Sequence, residues 1–366
     1  MRRRRPIAPS RVLVLYSVVE HLPRGEPRDW IAEEEVALTA WAMVSALQER
    51  GWCVTARPVW DRASLREALD AFDPQDTVVI NLCETLEGRP QGEAVVPVLL
   101  EARGFIYTGS SSSTLALCLD KGRAKARLRA AGLPTPPAQV FHHPQERIRI
   151  PLPAIVKPLA EDASHGIDRE SVVVDATSLR ARVAYVLEVY RQPALVETFI
   201  EGREFNVALW GGRDLEVLPL AEVDYSRIPN PLWRVCTFAA KWLPESEEYA
   251  LTPVRCPAEL DEALAARVRE VAIRAFRAVR GRDYGRVDIR LQGETPYVLE
   301  VNPNPSLAPN SGFVNAARAA GYSYAAMAER LIRLAWERRG RGKETLQPQS
   351  GWAVEADVAY SMASSG

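Results

Sequence analysis

The chain has 366 residues, 47% of them hydrophobic, with 46 basic side chains against 47 acidic ones. That length supports a sizeable core in two or three domains, and a net charge of −1 supplies no field to draw nucleic acid. Five scattered cysteines with no C-x-x-C pair, and four histidines without ligand spacing, exclude a disulfide scaffold and a zinc enzyme and suit reduced thiols in a cytoplasm.

The basic start MRRRRP is read as a solvated tail rather than a signal peptide, because the apolar run after it is short and ends in Glu20-His21. No stretch approaches the roughly 20 apolar residues of a membrane helix. RVLVLYSV (11–18) predicts a strand, and EEEVALTAWAMVSALQERG (33–51) a helix closed by a glycine. CVTARPV, ASLREALDAF, DTVVINLC and AVVPVLLEARG continue the alternation, which predicts a mostly parallel sheet with helices on both faces. The cluster GSSSST (109–114) marks a domain boundary.

A helix, KGRAKARLRAAG, is stopped by Gly132 and LPTPPA. The strands AQVFHH, AIVKPL and SVVVD follow, then a helix from Leu179 to Tyr190 and the strand ALVETFI. EFNVALWGG and LEVLPLAEV read as two strands about a Gly-Gly turn. A long amphipathic helix (259–280) and a hairpin come next, and two last helices end near Arg339. From Gly340 the composition is Gly/Ser/Gln-rich and aperiodic, so 340–366 is expected to be a flexible tail.

The hairpin, YGRVDIRLQGETPYVLEVNPNPS (284–306), carries the chemistry. Alternation puts Val287, Ile289 and Leu291 on one face and Arg286 and Asp288 on the other. In the second strand Leu299 and Val301 share a face, opposite Glu300 and Asn302. Asp288, Glu300 and Asn302 offer only oxygen ligands, as Mg²⁺ requires, and Mg²⁺ is usually shared with the phosphates of a substrate. Two cross-strand ion pairs are the alternative reading. AIVKPLAEDASHGI (154–167) ends a strand in Lys157 before a small-residue loop with Ser164 and Gly166, suited to phosphate oxygens or simply to a turn. It is not a Walker A loop. In LVETFIEGREFNV (195–207), Glu204 has the chemistry to accept ribose hydroxyls, although a glutamate at a strand end is usually just solvated.

Taken in order, LDKGRAKARLRAAGLPTPP, AIVKPLAEDASHGI, ALVETFIEGREFNVAL, AAKW, YGRVDIR and LEVNPNPS resemble the ATP-grasp superfamily, and most its D-alanine–D-alanine ligase branch. YTGSSSSTLALCLDK (107–121) and IAEEEVAL (31–38) strengthen the match to that branch. The resemblance covers roughly residues 10 to 337 and implies a three-domain α/β and α+β architecture. An N-terminal α/β substrate-binding domain (10–113) would precede a central lid (114–202) and a metal-bearing catalytic domain (203–339), with ATP between the last two. It implies ATP and Mg²⁺ (or Mn²⁺), a carboxylate phosphorylated and then attacked by an amine, amino-acid or carboxylate substrates, and the homodimer common in the family.

Residue by residue, Lys121 and Lys157 match the phosphate-contacting lysines, with Ser164 in the loop beside them. Glu197, Phe199 and Ile200 match the adenine-facing hinge, Glu204 the ribose ligand and Lys241 the lysine at the γ-phosphate. Asp288, Glu300 and Asn302 match the metal ligands, Arg286 the oxyanion arginine, Glu35 the ligand of the first amino acid's ammonium, and Ser311 the serine at the second substrate's carboxylate. The departures lie in the amino-acid half. Ala163 and Trp242 stand where the family orients that glutamate with a serine and a tyrosine or histidine. NLCETLEGRPQGEA (81–94) replaces a histidine-containing segment, and Pro303 and Ser306 replace Thr and Gly. Drift with the same substrate is one reading. A different amino acid or carboxylate is the other, favoured because a buried carboxylate stripped of both partners is costly. An ATP-binding switch and a phosphotransferase are the further alternatives.

Overall fold

The computed structural model describes residues 9–341; the basic start and residues 342–366 of the expected tail lie outside the described residues. The first sheet holds β1 (Arg11–Ser17), β2 (Val54–Val59), β3 (Thr77–Leu82) and β4 (Ile106–Tyr107) in the order β2-β1-β3-β4, all parallel. Helices cover both faces, as the alternation predicts. Val12, Val14 and Ile80 pack against Met43 and Leu47 of α1 (Trp30–Gln48). Leu13, Leu15 and Val79 pack against Leu65 and Leu69 of α2 (Arg62–Asp70) and Val96 and Leu100 of α3 (Val95–Ala102). Helix α1 begins three residues earlier than its charge pattern suggests, because the turn Pro27–Asp29 feeds directly into it.

The Gly-Ser cluster starts a helix that the sequence reading missed. Ser111 accepts the Thr114 N–H and caps α4 (Ser112–Leu119), and Asp120 caps α5 (Lys121–Ala130) in the same way. The second sheet is antiparallel: β5 (Ala138–Phe141), β6 (Ala154–Pro158), β7 (Val172–Val173) and β8 (Ala194–Thr198) in the order β5-β8-β6-β7. Helix α6 (Ala176–Val189) packs against it and starts three residues before Leu179, where Asp175 and Ser178 form a capping box.

The third sheet contains β9 (Arg203–Gly211), β10 (Leu215–Val217), β11 (Ala221–Val223), β12 (Val254–Arg255), β13 (Asp283–Gln292) and β14 (Thr295–Asn302). Its order is β12-β11-β9-β13-β14, with β10 on β9. LEVLPLAEV therefore makes two short strands instead of one, interrupted around Pro219, which has no N–H to give a ladder. The segment 233–250 carries α7 (Phe238–Trp242) and most of α8 (Glu247–Leu251). Helix α9 (Glu262–Ala278) packs on the sheet, and α10 (Gly312–Ala319) leads to α11 (Tyr324–Arg341). Leu331, Ile332 and Ala335 of α11 return to the first sheet's core beside α1, so the last described helix completes the core that β1 begins. Among the described residues no helix is long and apolar enough to cross a membrane.

Candidate active site

The hairpin faces depart from simple alternation at one point. Asp288 pairs with Glu300 but Ile289 pairs with Val298, so Leu299 is the extra residue of a β-bulge. The apolar side of β14 is therefore Val298 and Val301, and Leu299 drops out of it. Arg286, opposite Asn302, still shares a face with Asp288, Glu300 and Asn302. Arg286 grips Asp288 with both Nε (2.7 Å) and Nη2 (2.8 Å). The Asn302 amide donates to Asp288 (3.0 Å) and Glu300 (3.4 Å), and Asn206 of β9 donates to the other Asp288 oxygen (2.9 Å). Two carboxylates and an amide thus converge within hydrogen-bond distance. Those donors fit a hard cation: rotation of the amide by half a turn would present its oxygen in place of its nitrogen. Burial alone would raise the Glu300 carboxyl, but Lys121, Lys157 and Arg286 hold it far below the usual range, so it stays an anion.

The two expected phosphate lysines converge on this face. Lys121, at the start of α5, donates to the Glu161 carbonyl (2.5 Å), pairs with Asp162 (3.2 Å) and lies 3.7 Å from Glu300. Lys157, on β6, is paired with the buried Glu197 of β8. A third lysine, Lys125, was missed by the sequence reading. It sits one turn after Lys121, 2.5 Å from the other Glu197 oxygen, and donates to Thr135 and to the Leu299 carbonyl that the bulge frees (3.1 Å each). Burial pushes the Lys125 ammonium down to about 8, and Lys157 adds to that while Glu197 opposes it. The available signal was the i, i+4 spacing in KGRAK.

Glu204, matched to the ribose ligand, is held by a residue the sequence reading passed over. Arg290 donates to its Oε2 from Nε (2.9 Å) and Nη2 (2.6 Å), and the Tyr225 hydroxyl donates to the same oxygen (3.0 Å). The Arg290 guanidinium also takes the Ile200 carbonyl (3.0 Å) and lies over the Phe199 ring, which joins the hinge to the third sheet. Lys241 is on α7, its ammonium 4.8 Å from the Trp242 ring centre. Trp242 donates its indole N–H to the Ala163 carbonyl (2.8 Å), and Ser164 donates to the Cys236 carbonyl (3.1 Å). The two positions at which the resemblance lost its side-chain partners therefore still meet, through backbone instead of through Glu35.

Glu35 is not left bare. Ser306, in the position of the family's glycine, donates to its Oε2 (3.1 Å). Both line a small cavity with Val36, Leu82, Glu84, Asn304 and Leu307. Asn304 donates to Glu93 (2.9 Å) and accepts from the Tyr284 hydroxyl (3.0 Å). Burial, with Glu33 and Glu35 adding to it and Lys241 opposing, pushes the Glu84 carboxyl up to about 8. Glu33, Glu84 and Glu93 were not singled out in advance. Ser311, the expected carboxylate ligand, caps α10 through the Val314 N–H (3.4 Å).

A family model described as the D-ala D-ala ligase C-terminus matches residues 128–333. The chain is 36% identical over 305 residues to the uncharacterized protein y4sG of Sinorhizobium fredii, covering 81% of this chain and 87% of that one. It is 33% identical over 314 residues to the D-alanine–D-alanine ligase of Desulforudis audaxviator, covering 84% and 96%. The crystal structure of the Bacillus anthracis D-alanine–D-alanine ligase complexed with ATP superposes with a TM-score of 0.71 over 91% of this chain and 99% of that one, at 21% identity, which bears on the fold. On the family model and the identities, the chain belongs to the D-alanine–D-alanine ligase-like branch of the ATP-grasp superfamily, ligases that form a carbon–nitrogen bond.

Proposed function

We propose that this chain is an ATP- and Mg²⁺-dependent carboxylate–amine ligase working through an acyl phosphate, and that its acid is not D-alanine. The observation that supports the chemistry is the single face carrying Arg286, Asp288, Glu300 and Asn302, with Lys121 beside it. Residues 10–113 would bind the acid, 114–202 act as lid and 203–339 carry the catalytic sheet, in a cytoplasmic enzyme of small molecules, with a homodimer as the assembly. Asp288, Glu300 and Asn302 would hold Mg²⁺ (or Mn²⁺), which when bound would neutralise phosphate charge.

The chain's own residues do the rest. Lys121, Lys157 and Lys241 balance phosphate charge, while Glu197, Phe199 and Ile200 form the hinge against the base, and Glu204 accepts a ribose hydroxyl. Trp242 on Ala163 and Ser164 on Cys236 pin α7 to the loop after β6, excluding water that would hydrolyse an acyl phosphate. Arg286, two residues from Asp288, stabilises the oxyanion that forms as the amine adds to the acyl carbon. Ser311 orients the carboxylate of the amine substrate. The change of acid is supported by Ser306 occupying Glu35.

The test is ADP release by the purified full chain with Mg²⁺-ATP against D- and L-amino acids and other carboxylates, with product masses and Asp288→Asn as control. A condensed product that needs Asp288, from an acid other than D-alanine, is expected. D-alanyl-D-alanine as the main product would refute the change of substrate. ADP without any condensed product would indicate a phosphotransferase, and bound ATP with no ADP a switch.

A further inference from the structure

A second cavity, with room for about one water-sized group, lies where the first sheet's loops meet the lid. Arg24, Asp29 and Glu33 line it from the segment entering α1 and its first turn, Thr85 from the loop after β3, and Glu161 and His165 from the loop after β6. The walls are tied across the domains: the Gly25 N–H donates to the Val189 carbonyl (3.0 Å), and Tyr190 donates to Asp29 Oδ2 (3.1 Å). Four buried polar atoms of the lining have no hydrogen-bond partner among the described residues: the acceptors Asp29 Oδ1 and Thr85 Oγ1, and the donors Arg24 Nη2, which lies 2.9 Å from the Glu161 carboxylate, and His165 Nε2. Asp29 and Thr85 are 2% and 7% exposed. A buried carboxylate oxygen left bare costs free energy until a donor arrives.

Three carboxylates against Arg24 and His165 leave the lining short of one positive charge. Asp29, Glu33 and Glu161 face Arg24, which pairs with Glu161 at 2.9 Å, and His165, whose Nδ1 lies 3.7 Å from the same carboxylate. Glu161 is further occupied by Gln192 (2.7 Å), so Asp29 and Glu33 are the carboxylates with capacity to spare. The cavity is also the neighbour of the one at Glu35 and Ser306. Glu33 lines this cavity and Glu35 that one, two residues apart on α1; Thr85 lines this one and Glu84 that one, adjacent in the chain. Glu84, on the wall of that cavity, lies close enough to both Glu33 and Glu35 to feel their charges.

We propose that the cavity at Asp29, Glu33 and Thr85 receives a distal cationic nitrogen of the acid substrate, making the substrate a basic amino acid or diamino acid. This rests on the ligase reading above, and it gives a reason for the altered acid site, since the three-carbon skeleton of D-alanine has no group to place there. Asp29 Oδ1 and Thr85 Oγ1 accept from the nitrogen, and Glu33 supplies the second negative charge.

The test measures binding directly, so that it does not depend on turnover. The full chain with Mg²⁺ and a non-hydrolysable ATP analogue is titrated calorimetrically with the D and L forms of matched pairs: 2,4-diaminobutyrate against norvaline, ornithine against norleucine, lysine against 2-aminoheptanoate. At least one basic member is expected to bind ten-fold or more tighter than its neutral partner, with Asp29→Asn erasing that preference. Thr85→Val keeps the shape and removes a bare hydroxyl, so it is expected to hold or raise the melting temperature without ligand while weakening the same basic member several-fold. Every pair within two-fold, or a preference untouched by both variants, would overturn the proposal. ADP release followed in parallel separates the two readings: basic acids bound without ADP would count against the ligase and leave the cavity's assignment standing, and neutral acids turned over in preference would do the reverse.

Discussion

At the scale of single residues, Ser306 carries the proposed change of acid. Its hydroxyl binds Glu35, so the carboxylate that the resemblance assigns to an ammonium is already occupied. Ser306→Gly is expected to free Glu35 and raise kcat/KM for D-alanine ten-fold or more over wild type, measured by coupled ADP release; no gain would assign the altered specificity elsewhere. Lys125 makes the opposite case, a residue with no assigned role that holds two assigned ones, Glu197 directly and Glu300 through the neighbouring Leu299 carbonyl. Breaking a buried pair outright costs about 3–5 kcal/mol. Lys157 still faces Glu197 in Lys125→Met, so about 2 kcal/mol is expected in urea unfolding, with a raised KM for ATP. The motif residues were legible because each sits in a short stretch of distinctive chemistry. Their supports were not: Ser306 and Glu35 are 271 positions apart, and Arg290 and Glu204 are 86 apart, so only folding reveals the contact.

Among the elements, the alternating first third was legible because strand and helix periods differ, and its parallel sheet follows from connection lengths. The bulge at Leu299 was not, since the extra residue leaves the composition of the strand unchanged and alters only its phase. Nor was α7, five residues long, whose Thr237 cap looks like any other threonine in a loop. That short helix is tied to the loop after β6 by the Trp242 indole. Trp242→Phe removes the bond to Ala163 at nearly constant ring packing, so about 1 kcal/mol of local stability is expected to go. Hydrogen exchange at 159–167 would quicken and kcat would fall; protection equal to wild type would show that the bond does not hold the lid. Strand β13 has a different constraint. A Cβ at Gly285 would sit 2.3 Å from the Phe276 ring, so the strand passes α9 only because residue 285 has no side chain. Gly285→Ala is expected to cost about 1–3 kcal/mol by overpacking. Phe276→Leu should relieve it, making the double variant more stable than the sum of the singles; simple additivity would place the strain elsewhere.

For the molecule as a whole, the acid half of the site is a charge problem that folding creates. Glu33 and Glu35 come from α1, Glu84 from the loop after β3, Asp162 from the lid and Lys241 from α7, and only the assembled domains bring them together. The Glu84 carboxyl is pushed up to about 8, by burial first and then by Glu33 and Glu35, with Lys241 the opposing charge. In the unfolded chain the same carboxyl titrates near the ordinary 4.3 or so. Between those values the folded protein binds the extra proton, so its stability is fully present at the acid end of that window and is lost as pH rises toward 8. The ligand-free protein is therefore expected to melt at progressively lower temperature from pH 5 to pH 8, against the usual trend of paired carboxylates. Glu84→Gln, neutral throughout, should flatten that slope and melt above wild type at pH 8. A slope unchanged in Glu84→Gln would assign the pH dependence to another group and show that Glu84 ionises freely in the folded state.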